Sequence, residues 1–223
     1  MGDGSAINAI GYNVADNFLY AAAITKAPFN LLRISGSGDV TNLGSLNTTS
    51  APNCGDVDEN SQYWGSANGK EWTQVDLKPS SSTFGRTVIM GTAAPAQTII
   101  DWAYVPNAGN YLWSLGFDST SRGQGKVSNT FLLRFDRAAK SWATVVRFGD
   151  IAGVGDGTRN AWGAVYASDD GYLYGSENFS GEIWRFPIPA SGIGAPTASP
   201  TKISNGPAAT GNDGARCINA ANI

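Results

Sequence analysis

Apolar and aromatic residues fall at every second position over short runs, and turn residues separate those runs. The stretch Ala161 to Phe186, AWGAVYASDDGYLYGSENFSGEIWRF, shows the pattern most clearly. Alternation with period two, rich in Tyr, Trp and β-branched residues, predicts strands rather than helices. Three are expected, at Gly163–Ala167, Tyr172–Ser176 and Glu182–Phe186. The turns between them carry Asp170-Gly171 and Ser180-Gly181, because Gly tolerates positive φ and Asp bonds its own backbone.

The same pattern recurs along the chain. Ile7 to Tyr20 matches Ala161 to Tyr174: Tyr12 and Tyr166 each precede by eight residues the Tyr of a Leu-Tyr pair, Tyr20 and Tyr174. Both turns carry Asp, at Asp16 and Asp169-Asp170. Further units begin near Asn53 and Thr98, so unit starts fall near residues 7, 53, 98 and 161. A repeated centre of apolar residue, Arg and apolar residue appears as Leu32-Arg33-Ile34, Leu133-Arg134-Phe135 and Trp184-Arg185-Phe186. It reads as a structural Arg on the outward face of the third strand. Spacings of roughly 40–50 residues fit propeller blades of four strands. The third unit is longer, with polar loops at 118–129 and 149–160. Residues 187–200 read as a connector, and Thr201-Lys202-Ile203-Ser204 adds an outer strand. Asp213 to Cys217 then looks like one more inner strand, Ala215–Ile218.

The expected fold class is therefore all-β: a single β-propeller domain of four-stranded antiparallel blades, about five in number, one of them incomplete. An incomplete blade leaves strand edges unpaired, so strand addition there is expected, by a preceding segment, a partner peptide or a second copy of the chain.

Composition narrows the function. Only 15% of the 223 residues are charged, and the formal net charge is −3. Nucleic acid is not an expected partner, since it demands clustered Lys and Arg. No apolar run reaches the ~18 residues of a membrane span. Met1-Gly2-Asp3-Gly4 reads as a trimmed start rather than a signal peptide. Histidine is absent, which excludes a Ser-His-Asp triad and histidine-ligated zinc or copper. Cys54 and Cys217 cannot make a zinc site by themselves; they could pair with each other or with partners outside this sequence. Sequons at Asn47-Thr48-Thr49 and Asn178-Phe179-Ser180 lie in expected loops and lift the prior for secretion modestly.

Three motifs carry a resemblance: Ile7 to Asn13 with Asp16 and Leu19-Tyr20, then Gly55-Asp56-Val57-Asp58, then Asp213 to Cys217. With them the whole chain resembles a family of secreted fungal and bacterial β-propeller domains of unassigned function. That resemblance implies the propeller fold and a secreted or cell-surface setting, and it transfers no catalytic residue. The family also carries a preceding strand pair that this chain lacks.

Candidate chemistry gathers at the starts of inner strands, which line a propeller's channel. Asp56, Asp58 and Asp101 fall there, and paired carboxylates can divide acid and base roles. A glycoside hydrolase or lyase at the channel mouth is one reading. Against it, inner-strand Asp residues commonly cap turns and bond backbone. Asp56 and Asp58 also open a calcium-like loop, but the EF-hand positions for Gly and Glu hold Ser61 and Ala67. No cofactor is expected, with an oxygen-ligated calcium at Asp56 and Asp58 left open. Gly153 to Gly157 reads as a turn rather than a phosphate loop. Most Trp residues read as core, whereas Trp72 and Trp142, beside polar neighbours, are expected to be exposed and available to a ligand. The leading expectation is a non-catalytic recognition module for a glycan or a surface protein, binding through Asp56, Asp58, Asp101, Trp72 and Trp142. A purely structural or self-associating surface domain is the third reading.

Overall fold

The computed structural model describes residues 6–118, 129–151, 161–209 and 211–217. Sixteen strands form four antiparallel sheets of four. The first blade holds β1 (Ile7–Asn13), β2 (Phe18–Ala23), β3 (Asn30–Ile34) and β4 (Val40–Ser45). The second holds β5 (Cys54–Val57), β6 (Gln62–Ala67), β7 (Glu71–Asp76) and β8 (Thr87–Thr92). The third holds β9 (Thr98–Tyr104), β10 (Tyr111–Phe117), β11 (Thr130–Asp136) and β12 (Ser141–Gly149). The fourth holds β13 (Trp162–Ala167), β14 (Tyr172–Glu177), β15 (Glu182–Pro187) and β16 (Thr201–Asn205). Every blade start lies within a residue or so of its expected position. The sole helical turn among the described residues is a 3₁₀ turn at Ala190–Gly192, inside the expected connector.

Within each blade the strands meander in sequence order, and the inner strands face one another around the ring: β1 beside β5, β5 beside β9, β9 beside β13. The core therefore lies between blades. Ala9, Tyr20, Leu31, Tyr63 and Leu77 pack the first against the second. Trp64, Trp72, Ile99, Trp102 and Phe135 pack the second against the third. Trp113, Leu132, Trp162, Leu173 and Phe186 pack the third against the fourth. Burying such large aromatics on both faces is what a lone meander cannot do, and adjacent copies supply the missing surface.

Blades one and two approach closely enough to require glycine. A Cβ at Gly55 would lie 2.1 Å from the Ala9 carbonyl oxygen, and one at Gly11 would lie 2.6 Å from the Asp56 Cα. Two of the motif glycines thus serve backbone-to-backbone contact.

The expected fifth inner strand is corrected. Residues 211–217 occupy the place between β13 and β1 but form no strand, and Ile218 lies outside the described residues. Side chains replace the ladder there. Asp213 Oδ2 accepts from Ile10 N at 3.0 Å, and Asn212 Nδ2 donates to Ser176 Oγ at 3.4 Å. Four complete blades are present, with this irregular segment in the fifth position. The loops expected within 119–128 and 152–160, including the glycine-rich Gly153 to Gly157, lie outside the described residues.

Candidate functional site

The expected site residues divide between two places. Asp56 and Asp101 stand on inner strands and do the same work. Asp56 Oδ1 accepts from Val57 N at 2.8 Å, and its Oδ2 accepts from Tyr104 N, on the next blade, at 2.7 Å. Asp101 Oδ1 accepts from Trp102 N at 2.8 Å, and its Oδ2 accepts from Val165 N, again on the next blade, at 2.7 Å. Asp213, which sequence reasoning placed only in a motif, repeats the device with Gly214 N and Ile10 N. Each carboxyl staples its own segment, β5, β9 or 211–217, to the inner strand beside it.

These staples are also electrostatically linked. Burial pushes Asp56 up to about 7, with its two backbone donors opposing the shift and Asp58 and Asp213 adding to it. Asp213 likewise rises to about 7, and Asp101, 0% exposed, is held well above the carboxylate range. Desolvation disfavours the ionised form of each; Asp213 repels Asp56 and Asp101 and raises both further, whereas a hydrogen bond with Asp101 favours ionised Asp213. Their oxygens are engaged by backbone, which leaves them poorly disposed to act on a substrate.

Asp58 belongs elsewhere. It is the second blade's version of a turn device that blades one and four also use. Asp16 Oδ1 accepts from Phe18 N and its Oδ2 from the Tyr20 hydroxyl; Asp170 does the same with Tyr172 N and the Tyr174 hydroxyl. Asp58 Oδ1 accepts from Asn60 N and Gln62 N, and its Oδ2 from Trp64 Nε1 at 2.9 Å. Asp56 and Asp58 therefore face different partners. Among the described residues no group of three or more Asp, Glu, Cys or His side chains is placed to hold a metal ion.

The exposure expected of Trp72 and Trp142 is corrected. Trp72 is 3% exposed and Trp142 is half-buried. Both join Trp64, Trp102 and Phe135 between blades two and three, with neighbouring ring centroids 5.4–6.2 Å apart. Trp142 Nε1 also donates to the Gly69 carbonyl at 2.8 Å. Polar sequence neighbours did not predict exposure, because strand side chains alternate faces and these two point into the seam. The cysteines are free, Cys54 buried and Cys217 partly exposed. Asn178 of the second sequon is 7% exposed, whereas Asn47 is exposed.

One face of the ring departs from the repeat. The repeated Arg stacks on the aromatic that opens the second strand of its blade: Arg33 over Phe18, Arg134 over Tyr111 and Arg185 over Tyr172, each 4.4 Å from the ring centre. Each Arg stands opposite an aromatic two residues further on, at Tyr20, Trp113 and Tyr174. In the second blade the residue opposite Trp64 is Gln74, and Gln62 takes the aromatic's place. Gln74 Nε2 donates to Gln62 Oε1 at 3.0 Å, and Gln62 Nε2 donates to Asp76 Oδ1 at 2.9 Å. A cation–aromatic lid has become an amide pair.

Above that pair opens a polar cleft of about 480 Å³. The second blade contributes Asp58, Asn60, Gln62, Trp64, Gln74, Asp76 and Lys78, and the third contributes Asn110, Arg137 and Lys140. Arg137 reaches across the seam, with Nη1 2.5 Å from Asp58 Oδ2 and both terminal nitrogens 2.8 Å from Glu59. Lys140 Nζ lies 4.4 Å from the Trp64 ring centre and donates to the Arg137 carbonyl. Burial pushes Asp76 up, but hydrogen bonds from Ser81, Thr83, Lys78 N and Gln62 outweigh it and bring the group to about 2. Burial, then Arg137, lowers Lys140.

Sequence reasoning reached Asp58 in this cleft and missed its other members. One signal was present: the apolar–Arg–apolar centre is kept in three units and is absent from the second.

Comparison with known proteins agrees with the repeat. Residues 3–219 match the model of a family described as a repeat of unknown function, DUF6923. The chain belongs to that family. No curated protein matches it. Among solved structures, the Dos1 propeller superposes with a TM-score of 0.51 at 11% identity, over 89% of this chain and 47% of that one. A streptogramin B lyase gives 0.49 at 12% identity, over 90% and 69%. A catalytically inactive virginiamycin B lyase from Staphylococcus aureus with quinupristin gives 0.44 at 11% identity, over 86% and 73%. At 11% identity the likeness to the Dos1 propeller is one of fold.

Proposed function

We propose that this propeller is a non-catalytic recognition module, secreted or at a cell surface, that binds a glycan in the cleft between its second and third blades. The replacement of the Arg–aromatic stack by Gln62 and Gln74 carries the reading. A repeat keeps a packing device wherever the fold needs it, and a lone departure that opens a cleft points to a use for that cleft. The lining suits a polyhydroxylated ligand: amides and cations dominate it, with little apolar surface. The engaged carboxyls of Asp56 and Asp101 weigh against catalysis at the channel mouth.

The test restores the repeat. The double variant Gln62→Tyr, Gln74→Arg rebuilds the stack found in the other three blades and should fold with unchanged circular dichroism. On a glycan array the parent should bind and the double variant should not. A hydrolysis and elimination screen on polysaccharides should be silent for both. Undiminished binding by the variant would remove the cleft from the account, and turnover by the parent would overturn the non-catalytic reading.

A further inference from the structure

We infer that the cleft selects sugars bearing a carboxylate over neutral ones, an inference that rests on the glycan-binding reading above. The cleft's acceptors and donors differ in how much bonding capacity they have left. Its two carboxylates are saturated. Asp58 Oδ1 accepts from Asn60 N and Gln62 N, and its Oδ2 from Trp64 Nε1 and Arg137. Asp76 Oδ1 accepts from Gln62 Nε2 and Lys78 N, and its Oδ2 from the Ser81 and Thr83 hydroxyls. Each of the four oxygens holds two donors, which fills its lone pairs.

The donors are in the opposite condition. Arg137 is 5% exposed, and its Nε is buried without a hydrogen-bond partner. A buried donor left unmade is costly, so a ligand acceptor that reaches it gains more than it would at the surface. Lys140 commits one bond to the Arg137 carbonyl and otherwise lies over Trp64. Lys78 is exposed on the rim, and neither lysine has a salt bridge among the described residues.

A sugar hydroxyl both donates and accepts, and the saturated carboxylates can take nothing from its proton. A sugar carboxylate only accepts, and Lys78 on the rim and Lys140 beside Trp64 offer it two ammonium groups, with the under-bonded Arg137 guanidinium behind them. Charge-assisted hydrogen bonds of this kind are shorter and roughly twice as strong as neutral ones. The amides of Asn60 and Asn110 on the rim remain to hold the hydroxyls of the same ring.

The probes are tetragalacturonate and tetramannuronate, their carboxyl-reduced counterparts, and a sulfated neutral tetrasaccharide, titrated by calorimetry into the whole chain. At least one uronate should bind about tenfold or more tightly than its reduced counterpart, with affinity falling as salt is raised. Lys78→Met and Lys140→Gln should each lose much of that preference, while Lys140→Arg keeps it. If a uronate and its reduced form bind equally, the inference fails and glycan binding stands. If the sulfated sugar binds as tightly as the uronates, selection for carboxylate fails. If the folded protein binds none of these and no neutral glycan, both readings fall together.

Discussion

Raising the pH from 5 to 8 should destabilise this protein, against the usual behaviour of acidic side chains. The Asp56 carboxyl titrates at about 7 in the fold and at 3.8 when unfolded. Between those values the folded state holds a proton that the unfolded state has released. Stability is then fully present below pH 4 and is lost as pH rises through 7. The whole difference of about three units at 1.36 kcal/mol each amounts to about 4 kcal/mol, of which the two units between pH 5 and 7, about 3 kcal/mol, are lost in this window for Asp56 alone. For a chain of this size that corresponds to a fall of roughly 6–12 °C in melting temperature between pH 5 and 8. Asp213 and Asp101 act in the same direction. The assay is thermal denaturation by circular dichroism in half-unit steps from pH 4.5 to 8.5 at fixed ionic strength. Asp56→Asn serves as the internal control. An amide offers only one oxygen to the Val57 and Tyr104 N–H groups, so the variant should melt lower at acid pH. It should also lose a visible part of the alkaline slope. A melting temperature that is flat or rises between pH 5 and 8 would refute the assignment. So would an Asp56→Asn variant with the parent's slope.

Below pH 4 the sign reverses. Asp76 at about 2, together with the lowered Glu59 and Asp170, contributes stability that is present above their unfolded values and lost as pH falls, so the optimum should sit near pH 4–5. Gly55→Ala places a Cβ 2.1 Å from the Ala9 carbonyl oxygen and should cost several kcal/mol or prevent folding, as read by soluble yield and melting temperature, whereas Gly36→Ala, with nothing within 4 Å, should behave as the parent. Asp58→Ala removes one of the two carboxylates that neutralise the buried Arg137 guanidinium and should lower stability by about 3–5 kcal/mol in urea melts, more than Glu59→Ala, whose side chain is 44% exposed. Expressed through a eukaryotic secretory route, folded molecules should carry N-glycan at Asn47 and none at the buried Asn178, as read by mass spectrometry of tryptic peptides.

Local rules made the blades legible. The alternation in Tyr172-Leu173-Tyr174 and the Asp170-Gly171 turn set β14 to within a residue, because side-chain period and turn chemistry are properties of a few adjacent residues. Asp16 and Asp170 could be read as turn residues for the same reason. The bonds from Asp56 to Tyr104 and from Asp101 to Val165 could not, because each donor lies on the neighbouring blade, 48 and 64 residues away. Trp72 and Trp142 were misjudged because charged neighbours describe the opposite face of a strand. The terminal segment was expected to form a strand, yet Asn212 and Asp213 hold it in place by side chains, which composition alone does not distinguish from a ladder.

The cleft shows why a repeat protein is best read by its departures. Arg33, Arg134 and Arg185 recur because a guanidinium laid on an aromatic ring closes the outward face of each meander. That recurrence makes the second blade informative. Gln74 and Gln62 keep the register of the pair and give up its packing, so the fold tolerates the loss while solvent gains a cleft. The neighbouring blade supplies what the cleft then holds, through Arg137 and Lys140 at the turn into β12. Neither blade forms the cleft alone: the second provides the opening, the saturated carboxylates and Lys78, the third Arg137 and Lys140. The cleft depends on the ring, because only the blade-to-blade seam brings Arg137 within reach of Asp58. Loosening the inner-strand staples with Asp101→Asn should therefore weaken binding in the cleft in step with the loss of stability, although Asp101 is not among the residues that line it. Binding that survives unchanged while the melting temperature falls would show that blades two and three hold their seam without the ring.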